Sequence, residues 1–214
     1  MASTSKPKKK RRSAFGGFVE LVVTVAIAIG LAFLIQAFVV KPYRIPSVSM
    51  VPTLQVGQRS LVNRLSTHPK LGDVVVFHPP SGATPANPQE QAVCGDVSEG
   101  YGKGQPCDTP THGESSQTFV KRVVGLPGDT LRISGGHVWR NGKEETGRYI
   151  EQCTEGFGQC TFSKTIKVPA GMYYMMGDNR GLSDDSRFWG PVPQKWIIGV
   201  AFFTYWPIDR IGTI

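Results

Sequence analysis

Hydrophobic and polar positions divide this chain into one long apolar segment followed by many short ones. The segment from Leu21 to Val40 contains no charged residue, and only Thr24 and Gln36 in it are distinctly polar. Because a helix rises ~1.5 Å per residue, a run of ~20 residues can cross the ~30 Å hydrocarbon core of a bilayer. The pattern therefore predicts a single transmembrane helix, which we delimit as residues 18–40.

Charged residues around the apolar segment indicate its orientation. Basic residues are concentrated before it, at positions 6 and 8–12, with no acid among them. Because positively charged flanks stay in the cytoplasm, we expect residues 1–17 to form a cytoplasmic tail and residues 41–214 an extracytoplasmic domain at the plasma membrane. A cleavable signal peptide is the alternative interpretation, but the apolar run exceeds the ~7–15 residues of such peptides.

The basic tail also accounts for most of the net charge of +8. Basic and acidic residues nearly balance in the rest of the chain, and no basic surface with interleaved aromatic residues accompanies the tail. We therefore expect membrane lipid as a partner and no nucleic acid.

Beyond the apolar segment, short β-rich runs alternate with Gly, Pro and Asn, which is typical of an all-β body. Gly135-Gly136 and Asn141-Gly142 are expected to form hairpin turns. Residues 79–117, rich in Gly, Pro, Ser and Gln, are expected to form a long loop. Strands are predicted at residues 73–77, 118–124, 130–134, 137–140, 164–168, 172–176 and 197–205. The fold class is therefore expected to be mostly β.

The four cysteines all follow the apolar segment. No pair has Cys-x-x-Cys spacing and none has a histidine at ligand spacing, so we expect no metal and no other cofactor. Disulfides are instead expected in an oxidising compartment. Loop closure favours the near partners Cys94–Cys107 and Cys153–Cys160 among the possible pairings. Four reduced thiols without a structural role remain the alternative.

Three segments combine residue types that can carry out hydrolysis. Residues 45–54 contain Ser47 and Ser49 between prolines, residues 119–129 contain Lys121 among apolar neighbours, and residues 177–187 are rich in Asp, Arg and Ser. Taken singly, each segment also has a structural explanation: turn serines, a solvent-facing lysine on a strand, and a hydrogen-bonded acidic loop or weak cation site.

A serine hydroxyl becomes an effective nucleophile only when a neighbouring base takes its proton. None of the four histidines lies in the three segments, whereas a Ser–Lys pair is an accepted alternative to a histidine base. The lysine would have to be neutral. Lowering its pKa from ~10.4 to ~8 costs the ammonium form about 3 kcal/mol, which desolvation by Phe119 and Val123 can supply.

In their order and composition, these segments resemble the boxes of the bacterial type I signal peptidase, or leader peptidase, family. Residues 46–54 resemble P-S-x-S-M-x-P-T-L, and residues 72–77 resemble G-D-[IV]-V-V-F. Residues 121–129 resemble K-R-V-[VI]-G-x-P-G-D, and residues 177–187 resemble G-D-N-R-D-x-S-x-D-S-R. The resemblance spans most of the chain apart from residues 79–117. Gly181 departs from it, because the family commonly has Asp there.

The resemblance implies a membrane-anchored serine endopeptidase that removes N-terminal signal peptides from exported preproteins emerging from the secretion translocon. Cleavage would follow small residues in an Ala-x-Ala pattern. The implied fold is a coiled antiparallel β-sheet with a smaller inserted β subdomain at about residues 131–167.

The resemblance also implies a role for each site residue. Ser49 would be the nucleophile and Lys121 the general base, with the Ser49 backbone N–H and the Ser47 hydroxyl as oxyanion donors. Ser183 would orient Lys121. The other supporting residues would be Asp178, Arg180, Asp185 and Arg187, and the substrate pocket would be formed by Ile45, Pro46, Leu54, Phe119 and Val120.

Two other functions remain open from the sequence. A Ser–Lys protease that cleaves only itself, like the repressor-type autoproteases, needs no membrane anchor, so the apolar segment argues against it. A membrane-anchored binding module, or a family member that has lost catalysis, would not need both Ser49 and Lys121.

Overall fold

A computed structural model describes residues 14–83, 106–109, 113–154 and 160–214. The basic residues at positions 6 and 8–12, most of the loop expected at residues 79–117, and Cys94 lie outside these ranges. The chain divides into two compact units, Met1–Val39 and Val40–Ile214.

The first unit contains helix α1, Ala14–Phe38. Its stretch Gly16–Gln36 is long and apolar enough to cross a membrane, and none of that stretch is buried within the protein. The hydroxyl of Thr24 donates to the Glu20 carbonyl at 2.7 Å, so this polar group is satisfied within the helix. A helix that is apolar all round and uncovered by protein fits a lipid environment.

The second unit is mostly β, as the sequence predicts. Among the described residues, its larger sheet has eight strands, all paired antiparallel: β1 (Val40–Arg44), β2 (Arg59–Asn63), β3 (Val74–Phe77), β4 (Phe119–Gly125), β9 (Met172–Met176), β10 (Val192–Pro193), β11 (Ile197–Trp206) and β12 (Gly212–Thr213). They are ordered β1-β2-β11-β3-β4-β9-β10, and β12 pairs with β11. Strands β1 and β2 were not predicted, although they bracket the segment that carries Ser49.

A smaller sheet, ordered β7-β6-β5-β8, contains β5 (Thr130–Ser134), β6 (His137–Arg140), β7 (Lys143–Glu144) and β8 (Ile166–Lys167). Both predicted hairpin turns are present. Gly135 and Gly136 have φ of 58° and 80°, and Asn141 and Gly142 have 52° and 82°. Positive φ at both central residues matches the twist of the flanking strands, which explains the preference for these residue pairs.

One of the two predicted disulfides is present among the described residues. Cys153 and Cys160 form a disulfide with a Cα–Cα distance of 5.8 Å. Cys107 is buried and its backbone N–H donates to the Arg187 carbonyl. Its predicted pairing with Cys94 involves a residue outside the described ranges.

Apolar side chains attach the serine segment to the larger sheet. Ile45, Met50 and Leu54 are buried against a cluster that includes Val62 and Val74. Full burial of side chains of this size contributes ~1.5–3 kcal/mol each. The backbone around Ser49 is therefore fixed by the core beneath it.

Candidate active site

Ser49 lies in a short 3₁₀ turn, Val48–Met50. The turn is closed by the Val51 N–H, which donates to the Val48 carbonyl at 3.1 Å. Ser49 is only 7% exposed, and its Oγ lies 3.2 Å from the Oγ of Ser47. Two hydroxyls thus converge on a point that the core holds in place.

Lys121 lies on β4, directly opposite Val75 of β3. It is 4% exposed, and its Nζ lies 5.7 Å from the centre of the Phe119 ring. Burial lowers the pKa of Lys121 to about 8, although the nearby carboxylates of Asp185, Asp184 and Asp178 oppose this shift. A substantial fraction of the side chain can therefore be neutral at mildly alkaline pH.

Ser49 and Lys121 line one cleft of about 370 Å³. Of the predicted substrate-pocket residues, Ile45, Pro46, Phe119 and Val120 line it, together with Ser47. Leu54 does not: it is fully buried in the core, so its predicted role in the pocket is wrong. The remaining residues of the cleft had no predicted role: Tyr43, Arg44, Met50, Thr118, Leu182 and Asp184.

Asp178 joins the loop after β9 to the strand that carries Lys121. Its two carboxylate oxygens each accept a hydrogen bond of 2.7 Å from the Arg122 guanidinium, and the Thr53 hydroxyl also donates to it. Arg122 follows Lys121 on β4, so its side chain points to the opposite face of the strand. Bidentate pairing of this kind fixes orientation as well as charge. Asp178 thereby links all three sequence segments.

Arg180 connects the same loop to the smaller sheet. Its guanidinium donates to the Gly177 carbonyl at 2.8 Å, to the Gly136 carbonyl, and to both oxygens of Glu145 at 2.8 and 2.9 Å. Arg180 is fully buried. The bracing role implied for it is consistent with these contacts, whereas Glu145 carried no sequence signal.

Asp185 and Arg187 form a buried ion pair at the start of helix α2, Ser186–Trp189. The Arg187 Nε donates to Asp185 at 2.8 Å, and the Gly177 N–H donates to the same carboxylate at 3.1 Å. Burial alone would raise the pKa of Asp185, but the Arg187 guanidinium outweighs it and the net shift is downward. Asp185 is therefore held ionised.

Ser183 is buried beside this pair. Its hydroxyl lies near the Asp185 carboxylate, whose pKa it helps to lower. It makes no hydrogen bond of good geometry with any described residue, Lys121 included. The implied Ser183–Lys121 hydrogen bond is thus not made in this conformation.

Gly177 lies where the loop contacts Ser49. A Cβ at this position would collide with the Ser183 side chain and the Ser49 carbonyl oxygen, and the Asn179 N–H donates to that same carbonyl at 3.1 Å. Gly181 is different, because a Cβ there would meet nothing closer than the Thr154 nitrogen at 3.4 Å. Space for a Cβ is therefore available at this position, where the family commonly has Asp.

These contacts predict that one glycine substitution lowers activity strongly and that the other has little effect. Gly177→Ala should lower kcat/KM by ~100-fold, because displacing a reacting group by ~1 Å costs about that much. Gly181→Ala, the matched control, should leave kcat/KM nearly unchanged. The kcat/KM of both variants is measured on purified protein in detergent micelles, and urea unfolding reports their stability. Wild-type activity in Gly177→Ala would show that the loop does not position Ser49.

The chain is similar to known proteins over most of its length. The family model described as signal peptidase, peptidase S26, matches residues 18–206. Signal peptidase I of Leptolyngbya laminosa is 34% identical over 98% of this chain and 90% of its own length. Probable signal peptidase I-1 of Synechocystis sp. is 35% identical, covering 91% of this chain and 86% of its own. Signal peptidase I P of Bacillus subtilis subsp. natto is 30% identical, with 95% and 96% coverage.

Proposed function

The chain belongs to the signal peptidase family, peptidase S26, and is a serine endopeptidase that removes signal peptides from preproteins; we propose that it does so with a catalytic dyad of Ser49 and Lys121. One observation carries the proposal. The two side chains line the same cleft, and burial brings the pKa of Lys121 to about 8.

In the proposed reaction, neutral Lys121 takes the proton of the Ser49 hydroxyl as its Oγ attacks the scissile carbonyl carbon. The Ser49 backbone N–H and the Ser47 hydroxyl donate to the oxyanion that forms. The Lys121 ammonium then protonates the departing amine as the peptide C–N bond breaks, which leaves an ester on Ser49. Water attacks the ester as Lys121 accepts its proton, and Lys121 returns that proton to the Ser49 Oγ as the ester C–O bond breaks. This step releases the signal peptide with a free carboxyl end and restores neutral Lys121.

Strand β4 supports a way of binding the substrate. Phe119, Val120 and Lys121 pair with β3 on one side, while the pairing with β9 begins only at Arg122. Among the described residues, the first half of β4 therefore has no strand on its second side. An extended substrate can pair with this free edge by β-augmentation.

The walls of the cleft support the Ala-x-Ala preference. Ile45, Pro46, Phe119 and Val120 are apolar side chains that leave room for small residues. Replacing Ala by Leu at substrate position −1 or −3 should lower kcat/KM by ~10–100-fold, as overpacking by ~1–3 kcal/mol implies. The same change at −2 is the control and should have little effect.

This assay also tests the function itself. The purified full chain is incubated with an unlinked preprotein, and the new N-terminus of the product is sequenced. Cleavage after the alanine at −1 is expected. Cleavage of the chain alone would favour an autoprotease, and equal rates for Ala and Leu substrates would contradict the proposed specificity.

Helix α1 supports a single-pass anchor in the plasma membrane, with residues 1–17 cytoplasmic and residues 41–214 extracytoplasmic. Membrane lipid and the secretion translocon are the partners this topology proposes. Ser49 follows Val40 closely in sequence. Tethering then raises the effective concentration of the enzyme at the membrane surface where signal peptides emerge.

A further inference from the structure

Asp184 is the acidic residue of the cleft, and the proposed reaction assigns it no role. It lines the cleft together with Ser49 and Lys121. Its place in the loop is the variable position between Ser183 and Asp185 of the box that this segment resembles. The presence of a carboxyl group in the cleft that Ser49 and Lys121 line therefore has to be explained from this chain's own contacts.

One oxygen of Asp184, Oδ1, is shielded from solvent and accepts no hydrogen bond from any described residue. The groups that face this carboxyl are Asp185, Lys121, Arg187 and the Trp189 indole. Burial, and then the charge of Asp185, raise the pKa of Asp184 to about 7, against the opposing effects of Lys121, Arg187 and the Trp189 indole N–H. A buried carboxylate oxygen with spare acceptor capacity favours a nearby cation.

Lys121 is faced by four charged groups, Asp185, Asp184, Arg187 and Asp178. Asp185 is paired with Arg187, and Asp178 is paired with Arg122. Their negative charges are thus largely neutralised by their own guanidinium partners. Asp184 also raises the pKa of Lys121, and it has no ion-pair partner among the described residues, so no paired guanidinium offsets its charge.

We propose that Asp184 is a positioning residue for Lys121: its carboxylate attracts the ammonium form, holds Nζ in the cleft, and sets the pH range in which the enzyme is active. This inference rests on the proposed dyad. Because the two groups interact, they gain and lose protons as a pair. Ionised Asp184 favours the ammonium form of Lys121, so Lys121 loses its proton only at a higher pH. Removing the charge of Asp184 should therefore allow activity at lower pH.

The test is the pH dependence of kcat/KM between pH 5.5 and 10, with one preprotein and the full chain in detergent micelles. Asp184→Asn removes the charge and keeps the shape. We call the rise of kcat/KM on the acidic side of the pH profile the acid limb. In Asp184→Asn we expect the midpoint of this limb to lie ~0.5–1 pH unit below that of the wild type. At one pH unit below the wild-type midpoint, the kcat/KM of this variant should then be about three- to fivefold higher than that of the wild type. Asp184→Glu keeps the carboxylate and should keep the wild-type limb.

Asp209→Asn is the matched control, because it removes an exposed carboxylate that does not line the cleft. A merely structural role of Asp184 would lower kcat/KM at every pH without moving the limb. An unmoved limb in Asp184→Asn, or one moved equally by Asp209→Asn, would overturn the inference. If Asp184→Asn does not fold, Asp184→Ala is compared with Asp184→Glu in the same way.

Different results would contradict the role of Asp184 and the Ser49–Lys121 dyad. If the wild type has an acid limb near pH 8 and Asp184→Asn leaves it in place, only the role of Asp184 is wrong. If Lys121→Met retains activity, the dyad itself is wrong.

Discussion

Replacing Lys121 with methionine is expected to lower kcat/KM for preprotein cleavage by ~10⁴-fold or more, since removing one member of a nucleophile–base unit costs nearly as much as removing all of it. Methionine has a similar length and no charge, so it suits a buried site. The fold should therefore be retained while the base is lost.

Ser49→Ala should cause a loss of similar size, and the double variant should be little worse than either single one. Lys164→Met is a control, because Lys164 is exposed and lies outside the cleft. Cleavage is followed over hours so that slow turnover is detected. Activity within tenfold of the wild type in Lys121→Met would exclude this lysine as the base.

Replacing Arg187 with methionine is expected to destabilise the protein by ~3–5 kcal/mol, because it leaves a buried charge without its partner. Asp185 is 0% exposed, and Arg187 also donates to the carbonyls of Arg180 and Ser183. The measurement is urea unfolding of the full chain in micelles, followed by tryptophan fluorescence.

The double variant Asp185→Asn/Arg187→Met separates charge from packing, because it removes the unpaired carboxylate and should recover part of the lost stability. The loss in Arg187→Met should also be smaller at pH 5 than at pH 8. Without Arg187, burial raises the pKa of Asp185 above its unfolded value, so the folded state is favoured as the pH falls. Equal stability of Arg187→Met and the wild type at pH 8 would contradict the buried ion pair.

Local sequence determined much of the fold. The ~20-residue apolar run predicted α1 from its length alone, and Gly-Gly and Asn-Gly predicted the two hairpins because few other residues adopt positive φ twice in succession. Short strands such as β10 and β12 were missed, because two residues carry no periodic signal. Strands β1 and β2, which lie on either side of the motif at residues 45–54, were also not predicted.

The site was predicted through its ordered motifs rather than through contacts. Leu54 belongs to the same motif as Ser49, but it packs into the core with Val62 and Val74 instead of lining the cleft. The Arg180–Glu145 pair joins residues far apart in sequence, and no local pattern specifies which loops meet. The sequence alone does not distinguish Asp184 from the other acidic residues of its segment, because its contact with the cleft of Lys121 depends on the fold.

The pH dependence of wild-type kcat/KM tests the central claim most directly. Neutral Lys121 is the active form, so activity should rise with pH and level off above an apparent pKa near 8, the value to which burial lowers this lysine. Activity that rises only above pH ~10 would mean that Lys121 keeps the pKa of a solvent-exposed lysine, and would contradict a desolvated lysine as the base that activates Ser49.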